Sequence, residues 1–158
     1  MTDRWHRLLG SEPRAFAQGR CSCKSQPVTG AGKINRLVIP IAIDNLLIEQ
    51  AVIDTGGAYF VIDPDLGGSL GLNPSSALLR ERLRIRGEEY FGGLHRLSVT
   101  FVAEEGESLT FQATTFIPEP GHGSVWPLPV PYIGWQGCLE RVRFAIDPDA
   151  GEMYFGAL

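Results

Sequence analysis

The chain has 158 residues, 44% of them apolar and 20% charged, with a formal charge of -4, a composition that fits one globular domain and excludes two large ones. No apolar run approaches the roughly eighteen residues of a membrane helix, and Met1-Thr2-Asp3-Arg4-Trp5 lacks the apolar stretch of a secretory leader, so a soluble, cytoplasmic protein with no membrane partner is expected. Nineteen glycines and eleven prolines favour many short strands over long helices.

Charge is unevenly spread: residues 1 to 36 carry seven Lys/Arg against two acids, and the remainder seven against sixteen. From Met1 to Lys33 the apolar residues have no period, so residues 1–33 are expected to be a flexible or loosely docked basic arm, and 34–158 the folded domain. Cys21 and Cys23 are too close for a relaxed bridge and lack further ligands at metal spacing, so free thiols in a reducing compartment are expected.

The two-residue period of strands begins at Leu37 to Ile43, turns at Asp44-Asn45 and returns in Leu46 to Ile53, which predicts a hairpin. Asp63-Pro64-Asp65 is a helix start and Gly71 a stop, giving a short helix of about two turns. Leu83 and Ile85 alternate with Arg80, Arg82, Arg84 and Arg86, and Leu97, Val99 and Phe101 with polar neighbours, which predicts two strands. The arginine row reads as a solvated face protecting an edge strand. Between the two strands, Gly87-Glu88-Glu89-Tyr90-Phe91-Gly92-Gly93 is expected to be a glycine-bounded connection with its aromatics covering something. A second hairpin turns at Glu104 to Glu107, with Leu109, Phe111 and Ala113 beyond it. The proline-rich stretch from Pro118 to Pro131 must be extended. Gln136 to Arg141 forms a short helix, and strands follow over Val142 to Ile146 and at Met153-Tyr154-Phe155.

Chemistry concentrates in Ala51-Val52-Ile53-Asp54-Thr55-Gly56-Gly57-Ala58, where an acid, a hydroxyl and two glycines follow an apolar strand. The segment resembles the active-site loop of the retropepsin-like, or retroviral-type, aspartic proteases. Val61-Ile62-Asp63-Pro64 fits the strand-to-helix segment that comes next in that family, Tyr132-Ile133-Gly134 resembles its paired apolar residues and glycine, and Val142 to Phe155 resembles its closing hairpin. The resemblance runs from about Ile34 to Leu158. It implies an all-β fold, a single-lobe closed barrel with one or two short helices.

The resemblance also implies a function: an aspartic endopeptidase in which Asp54, Thr55 and Gly56 are catalytic. Peptide hydrolysis by carboxylates needs one ionised group to activate water and one protonated group to donate to the carbonyl. The sequence has one such loop, so the second Asp54 is expected from another copy in a homodimer. No cofactor and no metal is expected. Gly57, Ala58, Tyr90, Phe91, Gly92 and Ile133 are the expected substrate-binding residues, with Glu88 to Gly93 as the flap that closes over a protein or peptide substrate. Met153-Tyr154-Phe155 is expected at the dimer interface. Two departures from the family stand out: Gly57 replaces a small residue with a Cβ, and Trp135-Gln136 replaces an Arg-Asp or Arg-Asn pair. They motivate an alternative, a catalytically silent dimerising or peptide-binding module. His6, His95 and His122 are scattered, and without an aromatic-basic stripe nucleic acid is not expected as a partner.

Overall fold

The computed structural model describes residues 16–30, 32–120 and 126–158. Twelve strands and one short α-helix appear among them, in the order β1 (Gly19–Ser22), β2 (Lys24–Pro27), β3 (Asn35–Ile43), β4 (Leu46–Ile53), β5 (Phe60–Val61), α1 (Pro64–Ser69), β6 (Leu79–Ile85), β7 (Glu88–Phe101), β8 (Glu105–Gly106), β9 (Leu109–Pro118), β10 (Tyr132–Ile133), β11 (Val142–Asp147) and β12 (Glu152–Ala157). None of the helices among the described residues is long and apolar enough to cross a membrane.

The larger sheet runs β2-β3-β4-β10-β5-β9-β7-β6, and a further pairing of β3 with β7 closes six of these strands into a ring. That ring is the expected closed barrel, and closure leaves β2 and β6 as its outlying edges. Ring closure depends on β3 pairing with β7 as well as with β4. Its register on β4 shifts between Ile39 and Ile41, around Pro40, and from Ile41 onward it also pairs with Phe101, Thr100 and Val99 of β7. A proline at that point has no N–H to give the ladder, which suits a local irregularity.

The hairpin of β3 and β4 turns on two residues, Asp44 (φ 47°) and Asn45, as their polar, turn-forming character requires. Helix α1 is capped as its sequence predicts: the Asp63 carboxylate accepts from the Leu66 N–H at 2.8 Å, Pro64 opens the first turn, and Gly71 (φ 74°) follows Leu70. The expected helix over Gln136 to Arg141 is only a 3-10 turn at Leu139–Arg141.

The smaller sheet, β11-β12-β1-β8, corrects the expectation of a loose arm. Strand β1 lies between β12 and β8, and β2 pairs with β3. Ala17, Cys21, Cys23 and Val28 are all at most 1% exposed. A four-residue strand with alternating small side chains carries too few apolar residues to show a period, yet every second one goes into the core. Arg20, on the outward face, bridges both neighbours: it meets Glu105 and Glu152, each at 2.7 Å, and the Tyr154 hydroxyl donates to Glu152 at 2.6 Å. The charge of Arg20 is therefore paired with acids of the domain. Residues 1–15 lie outside the described residues.

The same sheet corrects the interface expectation. Met153, Tyr154 and Phe155 are at most 1% exposed, and β12 is hydrogen-bonded on both sides, so this strand is interior to the subunit. Cys21, Cys23 and Cys138 are free and buried, and burial pushes their thiols up to about 12, 11 and 12 respectively. Thiols so held stay protonated and unreactive at neutral pH. Among the described residues no group of His, Cys, Asp and Glu has the geometry of a metal site.

Candidate active site

Strand β4 ends at Ile53, and Asp54-Thr55-Gly56-Gly57-Ala58 loops out before the chain returns as β5. Strand β10 fills the gap, running parallel to β4 and antiparallel to β5. Its insertion fixes the loop from below. The Asp54 N–H donates to the Ile133 carbonyl at 2.9 Å, and the Val52 N–H to the Pro131 carbonyl at 2.9 Å. In return the Gly57 and Tyr59 carbonyls accept from the Trp135 and Gly134 N–H groups at 2.8 and 3.1 Å, and the Ala58 carbonyl from Gln136. A Cβ at Gly134 would fall 2.9 Å from the Gly57 carbonyl oxygen and closer still to that of Tyr59, so only glycine allows this approach.

The Asp54 carboxylate is half-buried, while Thr55, Gly56 and Ala58 are exposed. Its Oδ1 accepts from the Gly56 N–H at 3.2 Å, closing an Asx-type turn, and the Gly57 N–H donates to the Asp54 carbonyl at 3.0 Å. Gly57 brings its backbone against the acid: a Cβ there would stand 3.1 Å from Oδ2.

Asp54, Gly56, Gly57 and Ala58 line a cavity of about 430 Å³. Across it stand Leu83, Arg84, Ile85 and Arg86 at the tip of the hairpin formed by β6 and β7. Val52, Val61, Leu128 and Tyr132 make the apolar wall, and Arg36 and Tyr59 also line the cavity. Asp54 is the one carboxylate among these residues.

The covering hairpin is displaced in sequence from the segment expected to form it. Ile85 pairs with Glu88, so the turn is Arg86-Gly87, with φ of 52° and 89°. Two consecutive left-handed residues make the tight turn that matches strand twist. Residues Glu88 to Gly93 are therefore strand rather than loop. Tyr90 is 3% exposed and packs edge-on against Trp126 with ring centroids 5.1 Å apart, and Phe91 faces outward beneath the Arg82 guanidinium. Neither Tyr90, Phe91 nor Gly92 lines the cavity. Ile133 is fully buried beneath it and holds Asp54 through its carbonyl. The lining by Leu83, Arg84, Ile85 and Arg86 was signalled by the alternation that defined β6, but not by any residue type associated with the chemistry.

This arrangement, a loop carrying one acid, braced by an inserted strand and faced by a hairpin, can be compared with solved structures. A retropepsin-like aspartic protease from Rickettsia conorii superposes with a TM-score of 0.50 at 19% identity, over 89% of this chain and 94% of that one. The fold is retropepsin-like. The retroviral protease-like domain of Ddi1 from Leishmania major also matches, with a TM-score of 0.46 at 20% identity over 74% of this chain and 85% of that domain. No protein-family profile and no curated protein matches the chain. In the retropepsin-like fold seen here, half-buried Asp54 opens the loop between β4 and β5, ahead of the exposed Thr55 and Gly56.

Proposed function

We propose that the chain is an aspartic endopeptidase acting as a homodimer, with Asp54 of each copy contributing one carboxylate. The observation that carries this reading is that Asp54 is the one carboxylate among the described residues that line a peptide-sized cleft, on a loop whose Thr55, Gly56 and Ala58 are exposed. A second copy approaching along that loop supplies the missing acid.

Two carboxyls at contact distance cannot both ionise cheaply, so the pair holds one proton between them. The ionised member takes a proton from water as the water oxygen bonds to the scissile carbonyl carbon. The protonated member gives its proton to the carbonyl oxygen. Collapse of the resulting gem-diol breaks the C–N bond, with one proton passing to the leaving nitrogen, and the shared proton of the pair is restored. Thr55 braces the paired loops, Gly56 holds Oδ1 by its N–H, and Gly57 and Ala58 approach the substrate backbone. The hairpin tip from Leu83 to Arg86 takes the part of the flap, excluding water once substrate is in place.

Incubation with a mixed peptide library, with and without a statine-type transition-state mimic, tests this directly. Cleavage that the mimic blocks and Asp54→Asn abolishes supports the reading. Saturable peptide binding with no cleavage favours instead a silent binding module, the reading that the missing hydroxyl at Gly57 motivates.

A further inference from the structure

We infer that the cleft recognises a carboxylate carried by the substrate peptide, held by Arg36 and Tyr132 and steered by Arg84 and Arg86. The inference rests on the peptidase reading above and adds its substrate class.

Two buried polar groups in the cleft wall have no hydrogen-bond partner among the described residues: Arg36 Nε and the Tyr132 hydroxyl. Both residues line the same cavity as Asp54. Tyr132 is 8% exposed, and its neighbours in that wall are Val52, Val61 and Leu128. A hydroxyl and a guanidinium N–H set in an apolar wall without acceptors carry a desolvation cost that an incoming acceptor relieves. Their placement follows from the sheet. Val38 pairs with Val52, and Val52 with Tyr132. Arg36, two residues before Val38, projects from the same face of β3, at the end of the β3–β4 ladder that leads into Asp54.

Charge decides which acceptor fits. Along β6, Arg80 is paired with Glu119 and Arg82 with Glu89. Arg84, Arg86 and Arg36, the arginines that line the cleft, have no carboxylate within ion-pair distance among the described residues, and Arg84 Nε donates only to the Gly87 carbonyl at 3.2 Å. Among the described residues, three arginines thus line the cleft against one acid, Asp54, which the chemistry uses. A backbone carbonyl satisfies one donor. A carboxylate satisfies several with charge-assisted hydrogen bonds and is drawn by the field of all three arginines. An Asp or Glu side chain near the scissile bond and a free peptide C-terminus present the same chemistry.

Paired peptides with Glu or Gln scanned through the positions flanking the cleaved bond, each with a free or amidated C-terminus, are bound to the Asp54→Asn chain and measured by fluorescence polarisation. The same peptides are cleaved by the wild type. The expected result is affinity about tenfold higher for Glu over Gln at one position, or for the free C-terminus over the amide. The preference shrinks with added salt and is lost in Arg36→Gln, with Arg36→Lys retaining part of it. Binding preference without wild-type cleavage supports the carboxylate site while sinking the peptidase reading. Equal affinity for all pairs, or a preference that survives in both Arg36→Gln and an Arg84→Gln/Arg86→Gln double variant, overturns the inference. Should Arg36→Gln fail to fold, the double variant and the salt dependence decide the matter in its place.

Discussion

Gly57 stands against Asp54 so closely that a Cβ on it would lie 3.1 Å from Oδ2, within reach for a hydroxyl one bond further out to donate to that oxygen. Replacement Gly57→Ser therefore sets a hydroxyl where it can donate to that oxygen and hold the carboxylate in place. Gly57→Ala adds the same crowding without the hydroxyl, so kcat/KM of Gly57→Ser should exceed that of Gly57→Ala by up to about tenfold. Equal values in the two variants would assign any change to displacement of the loop.

Gly92 is a packing glycine. A Cβ there would stand 2.6 Å from Cζ of Phe116, a fully buried ring, and against the Ile117 carbonyl. Gly92→Ala should destabilise by about 1–3 kcal/mol, as overpacking does. At the hairpin tip, Gly87 has open space around it but a φ of 89°, so Gly87→Ala costs only the left-handed backbone, about 1 kcal/mol. Chemical denaturation of the two variants compares them, and equal losses would contradict the packing assignment.

A chain beginning at Ile34 should fail to fold. It lacks β1, which lies between β12 and β8, and loses the buried Ala17, Cys21, Cys23 and Val28 together with the Arg20 bridge to Glu105 and Glu152. Its far-ultraviolet circular dichroism should show loss of strand signal or the sample should aggregate. A cooperative melt like that of the full chain would restore the idea of a dispensable arm.

His95 gives the fold an acid sensitivity. It is 4% exposed on β7, and burial lowers its pKa below the ordinary 6.5. The unfolded chain then takes up a proton more readily than the folded one, so the contribution of His95 is complete above 6.5 and is lost as pH falls below it toward the folded value. Denaturation midpoints measured across that range should fall more steeply for the wild type than for His95→Gln. Parallel slopes would show that other groups set the acid limit.

Local rules made much of the barrel legible. Asp44-Asn45, Asp63-Pro64 and Gly71 set a turn and both ends of α1 by local chemistry within a few residues of themselves, and Asp54 stood out because an acid, a hydroxyl and two glycines follow an apolar strand. What escaped depended on distant partners. Cys21 and Cys23 enter the core only because β12 and β3 lie beside them, which no local period announces. Arg86 takes a left-handed φ that its side chain does not favour, because the twist of β6 and β7 demands it. That one turn moved the hairpin tip away from Tyr90 and Phe91 and brought Leu83 and Ile85 over Asp54. Arg36 and Tyr132 meet in one cavity through two strand pairings far apart in sequence.

The shared pair of Asp54 carboxylates is tested most directly by mixing. Wild-type chains are combined with Asp54→Asn chains at fixed total concentration, allowed to exchange, and assayed on a cleaved peptide while sedimentation follows the assembly. With one acid from each copy, activity should fall as the square of the wild-type fraction, because mixed dimers hold a single carboxylate. Activity proportional to the wild-type fraction, carried by a sedimenting monomer, would contradict the account.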